Sequence, residues 1–225
     1  MTELKTPSVI INFKIYSEAE GVNALSLARI CEKVAGESGA GIAVCPPMTE
    51  LSYVARNLSI PVFSQNVHPR KPGSGTGYTS PSAIVSSGAY GTLVNHSENR
   101  QSAEDIGACV RMCADSGLKI CACAENVGKA AEIAGFSPDM IAVEPPELIG
   151  GDVSVTSANP KIVEDTVNSV KSVDSGIKVL CGAGVKTGED VRAAIDLGAD
   201  GVLLASGVVR SKDPESILND LIRFI

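Results

Sequence analysis

No stretch of this sequence approaches the ~18 consecutive apolar residues of a membrane-spanning helix, and Met1-Thr2-Glu3-Leu4-Lys5 lacks the basic, then apolar pattern of a signal peptide. A soluble, cytoplasmic chain with no membrane partner is expected. Positive charge is scarce too: 19 lysines and arginines face 26 aspartates and glutamates, a net charge of -7 with a pI near 4.9. That balance argues against nucleic acid and anionic membrane surfaces as partners, and an anionic substrate needs a locally positive site. Histidine occurs only twice, as His68 and His96, too few for the His and Asp ligands of a metal-dependent epimerase. Tryptophan is absent and phenylalanine numbers four, whereas glycine numbers 22, which points to many tight turns.

Seven cysteines are an odd count and cannot all pair within one chain. Cys109 and Cys113 stand four apart on an expected helix, Cys121 and Cys123 two apart on an expected strand, and no C-x-x-C occurs. No histidine joins either pair at ligand spacing, so reduced, buried cysteines acting as small hydrophobes are a better account than a zinc site. No metal is expected.

The chain repeats one pattern, a short β-branched or apolar run, a turn, then apolar residues at helical spacing. Strands are expected at residues 8–14, 41–45, 61–67, 91–96, 119–123, 140–144, 178–184 and 201–205. Helices are expected after each, including residues 102–115, where Ser102 and Asp105 are spaced like a capping box, 160–173, and 189–197 behind a Thr187 cap. Strands that alternate with helices, and never meet through hairpin turns, imply right-handed crossovers and a parallel sheet. Eight such units in 225 residues fit a single α/β domain over residues 1–225, a closed (β/α)8 TIM barrel of eight parallel strands with outer helices. An open doubly wound sheet is the runner-up, but residues 14–21 hold no glycine fingerprint after the first strand. Gly73-Ser74-Gly75-Thr76-Gly77, flanked by Pro69, Pro72 and Pro81, reads as a protruding arm more than a phosphate cradle.

In a barrel the loops after the strands share one face, so polar residues at strand ends are the candidates for chemistry. They are Asn12 and Lys14 after the first strand, Asn95, His96, Ser97 and Glu98 after the fourth, Glu144 after the sixth, Gly182, Ala183 and Gly184 after the seventh, and Ala205, Ser206 and Gly207 after the eighth. Glu144, flanked by apolar residues and prolines, is partly desolvated and suits the role of base toward a carbon acid. His96, opening a short helical turn, suits the role of donor to a developing oxyanion. Lys14 adds a fixed positive charge. The glycines and the serine offer backbone N–H groups of the kind that hold phosphate in this fold, so a small phosphorylated carbonyl compound is the expected substrate. Beyond Glu144, Pro145-Pro146 stiffen the chain and Gly150-Gly151 loosen it, as in a hinged lid; an ordinary strand-to-helix loop is the plainer reading. Glu147 within it is the rival acid.

These residues resemble the triosephosphate isomerase family in the compact form typical of archaea, and the resemblance spans essentially the whole chain. Asn12-Phe13-Lys14 is similar to the family's first-strand Asn-x-Lys, Asn95-His96-Ser97-Glu98-Asn99-Arg100 to its His-Ser-Glu-x-Arg segment, and Val143-Glu144-Pro145 to its sixth-strand Glu-Pro before the lid. The resemblance implies interconversion of D-glyceraldehyde 3-phosphate and dihydroxyacetone phosphate through an enediolate, a step of glycolysis and gluconeogenesis, without metal or cofactor. It implies Glu144 as the base, His96 as the electrophile, Lys14 as the neutralising charge, Asn12 as a substrate-positioning residue and Glu98 as support for Lys14 or the His96 segment. Ile149, Gly150, Gly182, Gly184, Ala205 and Ser206 match the family's phosphate-binding backbone positions. Thr76 matches a loop that inserts into a neighbouring subunit, so a homo-oligomer is implied, a tetramer over a dimer. The chain is short for the family, its lid lacks a frequent tryptophan, and its seventh strand ends Gly-Ala-Gly where a serine is common. These are features of the compact branch.

Other phosphate-binding barrels, an isomerase or epimerase of another small sugar phosphate among them, remain the alternative. An aldolase needs a Schiff-base lysine, commonly on the sixth strand, which carries Glu144 and no lysine. A barrel that merely binds a phosphorylated ligand would tolerate the loss of Glu144 and His96, and both are present.

Overall fold

The computed structural model describes residues 3–145 and 154–225. Eight parallel strands form one sheet: β1 Ser8–Asn12, β2 Gly41–Cys45, β3 Phe63–Ser64, β4 Gly91–Val94, β5 Lys119–Ala124, β6 Met140–Val143, β7 Lys178–Gly182 and β8 Gly201–Leu204. Their order, β2-β1-β8-β7-β6-β5-β4-β3, is that of a ring cut at one seam, and the Val44–Val62 bridge joins that seam. The architecture is the (β/α)8 barrel expected from the repeating pattern.

Helices α1 Val22–Ser38, α2 Leu51–Ala55, α3 Pro81–Ser87, α4 Ala103–Asp115, α5 Val127–Ala134, α6 Val155–Ala158, α7 Pro160–Val173 and α8 Gly188–Asp196 connect the strands, and α9 Ser206–Val209 and α10 Pro214–Leu221 follow β8. Five of their starts follow side-chain caps: Ser80, Ser102, Asn126 and Asp213 each accept a backbone N–H three residues on, and Thr187 forms a full capping box with Asp190. Among the described residues no helix is long and apolar enough to cross a membrane.

Two apolar layers follow from strand alternation. Ile10, Ala43, Cys45, Phe63, Leu93, Cys121, Cys123, Met140, Ala142, Leu180 and Leu203 fill the barrel. Their neighbours in the strands, such as Ile11, Val44, Val94, Ile120, Ile141 and Val179, face the helices. All seven cysteines are free and buried within these layers.

Several strands end earlier than the sequence pattern suggests. Lys14 (φ 49), Asn95 (φ 58) and Ala183 (φ 74) adopt left-handed backbone, which breaks the pleat after Asn12, Val94 and Gly182. Strand β3 shrinks to two residues: Pro61 has no N–H for the ladder, although its carbonyl accepts Val44 N–H at 3.2 Å, and beyond Ser64 the chain turns as the Ser64 hydroxyl donates to Asn66 O at 2.7 Å. Helices α6 and α9 were not expected; four residues are too few for a period to show.

Candidate active site

Strand β6 delivers Glu144 in register: its N–H still bonds Ala124 O at 2.8 Å, and it continues the inward series Met140, Ala142. The side chain is therefore carried into the mouth of the barrel, 8% exposed, where Oε1 lies 3.7 Å from His96 Nε2. Glu144 Oε2 is buried with no hydrogen-bond partner among the described residues. A buried carboxylate oxygen without a donor is costly to keep, and a partner supplied by a ligand would relieve it.

His96 is as buried as Glu144, with 8% of its side chain exposed. Its Nδ1 accepts the backbone N–H of Glu98 at 3.2 Å, while Glu98 Oε2 stands farther off at 3.7 Å. The nearer contact makes Nδ1 an acceptor and puts the ring proton on Nε2, the nitrogen that faces Glu144.

Lys14 is held from both sides. Its N–H donates to Asn12 Oδ1 at 3.0 Å, and Nζ donates to Glu98 Oε1 at 2.8 Å. Gln65 Nε2 reaches Lys14 O at 2.8 Å, Cys45 O at 3.1 Å and Asn12 Oδ1 at 3.3 Å, so one amide ties the ends of β1 and β2 to the left-handed Lys14. Non-glycine residues in left-handed backbone concentrate here: of Lys14, Asn95, Ser137 and Ala183, all but Ser137 sit in loops that follow strands at this face.

One cavity collects these groups. Asn12, Lys14, Tyr16, His96 and Glu144 form one wall; Ala183, Gly184, Lys186, Ala205, Ser206 and Gly207 form the other. Expected residues Asn12, Lys14, His96, Glu144, Gly184, Ala205 and Ser206 thus share one space, with Glu98 behind Lys14 and His96. Gly182 does not line it and packs beneath the Glu144 side chain instead. Ile149, Gly150 and the rival acid Glu147 lie outside the described residues. Thr76 is exposed, and the neighbouring Gly77 and Thr79 border a groove shared with Lys14, Gln65 and His96.

Sequence reasoning missed Gln65 and Lys186, and it placed Asn95 at the end of the fourth strand without a role. Gln65 was legible in principle: alternation from inward-facing Phe63 predicts the same direction two residues on. Lys186 lies outside the glycines that marked its loop, and the role of Asn95 depends on contacts to other strands.

A family model described as triosephosphate isomerase matches residues 7–224. The chain is 48% identical over 217 residues to the triosephosphate isomerase of Methanocaldococcus jannaschii, covering 96% of this chain and 99% of that protein. It is 45% identical over 219 residues to that of Methanobrevibacter smithii, with 97% and 99% covered, and 48% identical over 221 residues to that of Methanopyrus kandleri, with 97% and 98% covered. With strand-end residues gathered at one barrel mouth and likeness running along nearly its whole length, the chain belongs to the triosephosphate isomerase family.

Proposed function

We propose that this chain interconverts D-glyceraldehyde 3-phosphate and dihydroxyacetone phosphate by moving a proton between adjacent carbons through an enediolate. The observation that carries the reading is the 3.7 Å separation of Glu144 Oε1 and His96 Nε2, two buried side chains on the wall of one cavity. A carbonyl compound seated there meets a base at the carbon beside its carbonyl and an N–H donor at its oxygen.

Glu144 takes the proton from one carbon and returns it to the next. His96 Nε2–H stabilises the oxygen on which charge develops and serves both oxygens of the enediolate, while its Nδ1 stays occupied by the Glu98 N–H. Lys14 offsets the charge of the intermediate and of the phosphate, and Asn12 orients the substrate. Backbone at Gly182, Gly184, Ala205 and Ser206 holds the phosphate, with Ile149 and Gly150 completing the shell from the lid. Among the backbone groups, the positions of Gly184, Ala205 and Ser206 on the cavity wall support this reading best.

The same reading has a single-domain enzyme working in the cytoplasm as a homo-oligomer, a tetramer in preference to a dimer, with the arm around Thr76 entering a neighbouring copy. Support comes from large apolar side chains left in water near that arm: Tyr78 is 51% exposed and Ile15 78% exposed, beside the groove that runs into the site.

The test is a coupled assay of glyceraldehyde 3-phosphate isomerisation by EDTA-treated wild type and Glu144→Gln. Fast turnover without added metal, abolished in the variant, is expected. A folded wild type without turnover overturns the proposal.

A further inference from the structure

We infer that Asn95 is a positioning residue for His96, turning the imidazole from the helix side of strand β4 into the cavity. The inference rests on the role proposed above for His96.

Alternation along β4 sets the problem. Leu93 belongs to the barrel interior and Val94 to the layer under the helices. Continued as a strand, Asn95 would face inward and His96 would face the helices. Yet His96 lines the cavity and Asn95 does not. The change of direction occurs at Asn95, whose φ is 58. Left-handed backbone crowds a Cβ, and glycine would adopt it freely, while asparagine tolerates it better than most side chains do. An asparagine held there, 2% exposed, must do something that glycine cannot.

What it does is close the loop that carries His96. Asn95 Nδ2 donates to Cys123 O on strand β5 at 2.9 Å, and Oδ1 accepts the Gln101 N–H at 3.0 Å. Arg100 adds a third tie, donating from Nη1 to Asn95 O at 3.2 Å while pairing with Glu125 Oε2 at 2.9 Å. Residues 95–101 are thus fastened at both ends and pinned to β5. Inside this closed loop lie the bonds that orient the ring: Glu98 N–H to His96 Nδ1 at 3.2 Å and Asn99 N–H to His96 O at 2.8 Å. The asparagine sets the loop, the loop sets Nδ1, and Nδ1 sets which nitrogen offers its proton to the cavity.

A purely structural asparagine would tie β4 to β5 and do nothing more. Its loss would lower the unfolding temperature and leave turnover intact wherever the protein stays folded. Asn95→Gly separates the two, because it keeps the left-handed backbone and removes only the side-chain ties. Expected are a kcat lower by about 10- to 100-fold, as for misplacements near 1 Å, with KM within about twofold. Nitrogen-15 NMR of the His96 ring, recorded without substrate, should show one tautomer protonated at Nε2 in the wild type and a mixture in the variant. Should Asn95→Gly fail to fold, Asn95→Asp takes its place: it keeps the acceptor for Gln101 but faces Cys123 O with an oxygen, and the same losses are expected. A folded variant with unchanged kcat and an unchanged tautomer overturns the inference. A wild type that lacks isomerase activity overturns the role of His96 instead, and the NMR comparison still reports whether Asn95 sets the ring.

Discussion

A Cβ at Gly182 would stand 2.6 Å from Glu144 Cγ and 3.2 Å from Glu144 Oε1, so the end of strand β7 leaves its space to the side chain carried by strand β6. The other side offers no room, since the backbone oxygen Leu203 O lies 3.3 Å from the same point. Gly182→Ala should therefore push Glu144 aside and lower kcat by about 10- to 100-fold with KM within about twofold. Steady-state kinetics decide it. An unchanged kcat would show that Glu144 keeps its place when a methyl group is added beside it.

Glu144→Asp shortens the base by one methylene and withdraws its carboxylate by roughly 1 Å, which can cost about 100-fold in rate. The loss should fall on kcat far more than on KM. A turnover number equal to that of the wild type would remove Glu144 from the mechanism.

Lys14 and Glu98 are bonded at 2.8 Å, but Glu98 is 60% exposed, so the pair adds little to stability. Glu98→Ala should change the urea unfolding free energy by no more than ~1 kcal/mol. Lys14→Met, by contrast, should cut kcat/KM by about 100-fold or more, as removal of a donor to a developing oxyanion does. Equal and small effects of the two substitutions on kcat/KM would reduce Lys14 to a surface cap.

Burial pushes the Asp190 carboxyl up, but hydrogen bonding by Ser154, by the N–H groups of Lys186 and Thr187 and by the Thr187 hydroxyl outweighs it and leaves the carboxyl below its ordinary value. A carboxyl lowered in the folded state contributes stability above its unfolded value, about 3.9, and loses that contribution as pH falls through the folded value. Asp190→Ala should cost about 1–2 kcal/mol at neutral pH through the lost cap of α8. Urea titrations should find a smaller gap between variant and wild type at about pH 3. A gap undiminished in acid would contradict the assignment.

Burial pushes the thiols of Cys31, Cys109, Cys113 and Cys181 up to about 12, and those of Cys45, Cys121 and Cys123 well above the ordinary value. The thiolate is the nucleophile, so at pH 8 only about one such thiol in 10,000 is reactive. Native protein should resist Ellman's reagent, and all seven cysteines should react once guanidinium unfolds it. A thiol titrating in the native protein at the rate of free cysteine would be incompatible with this packing.

The sequence carried the local periods and the local punctuation. Apolar runs that alternate with helical spacing predicted the eight units, Ser102 and Thr187 marked helix starts, and Asn12-Phe13-Lys14, His96 to Arg100 and Val143-Glu144-Pro145 marked the strand ends with chemistry. Such features depend on residues within one or two turns of each other, so they can be read along the chain. Tertiary structure decided the rest. Pairing of β5 with both β4 and β6 sets His96 against Glu144 across β5, and closure of the ring at Val44 and Val62 brings Lys14, after β1, to Glu98, after β4. Left-handed backbone at Lys14 is held by Gln65, 51 residues away, and at Asn95 by Cys123, 28 residues away, as well as by nearby Gln101, so the sequence around each turn announced little of it. What fills the space beside Gly182 is the Glu144 side chain, carried by the neighbouring strand, and nothing around Gly182 in the sequence announces that. Backbone torsion and side-chain direction at a strand's end follow from contacts made by neighbouring strands, and those exist only once the barrel has closed.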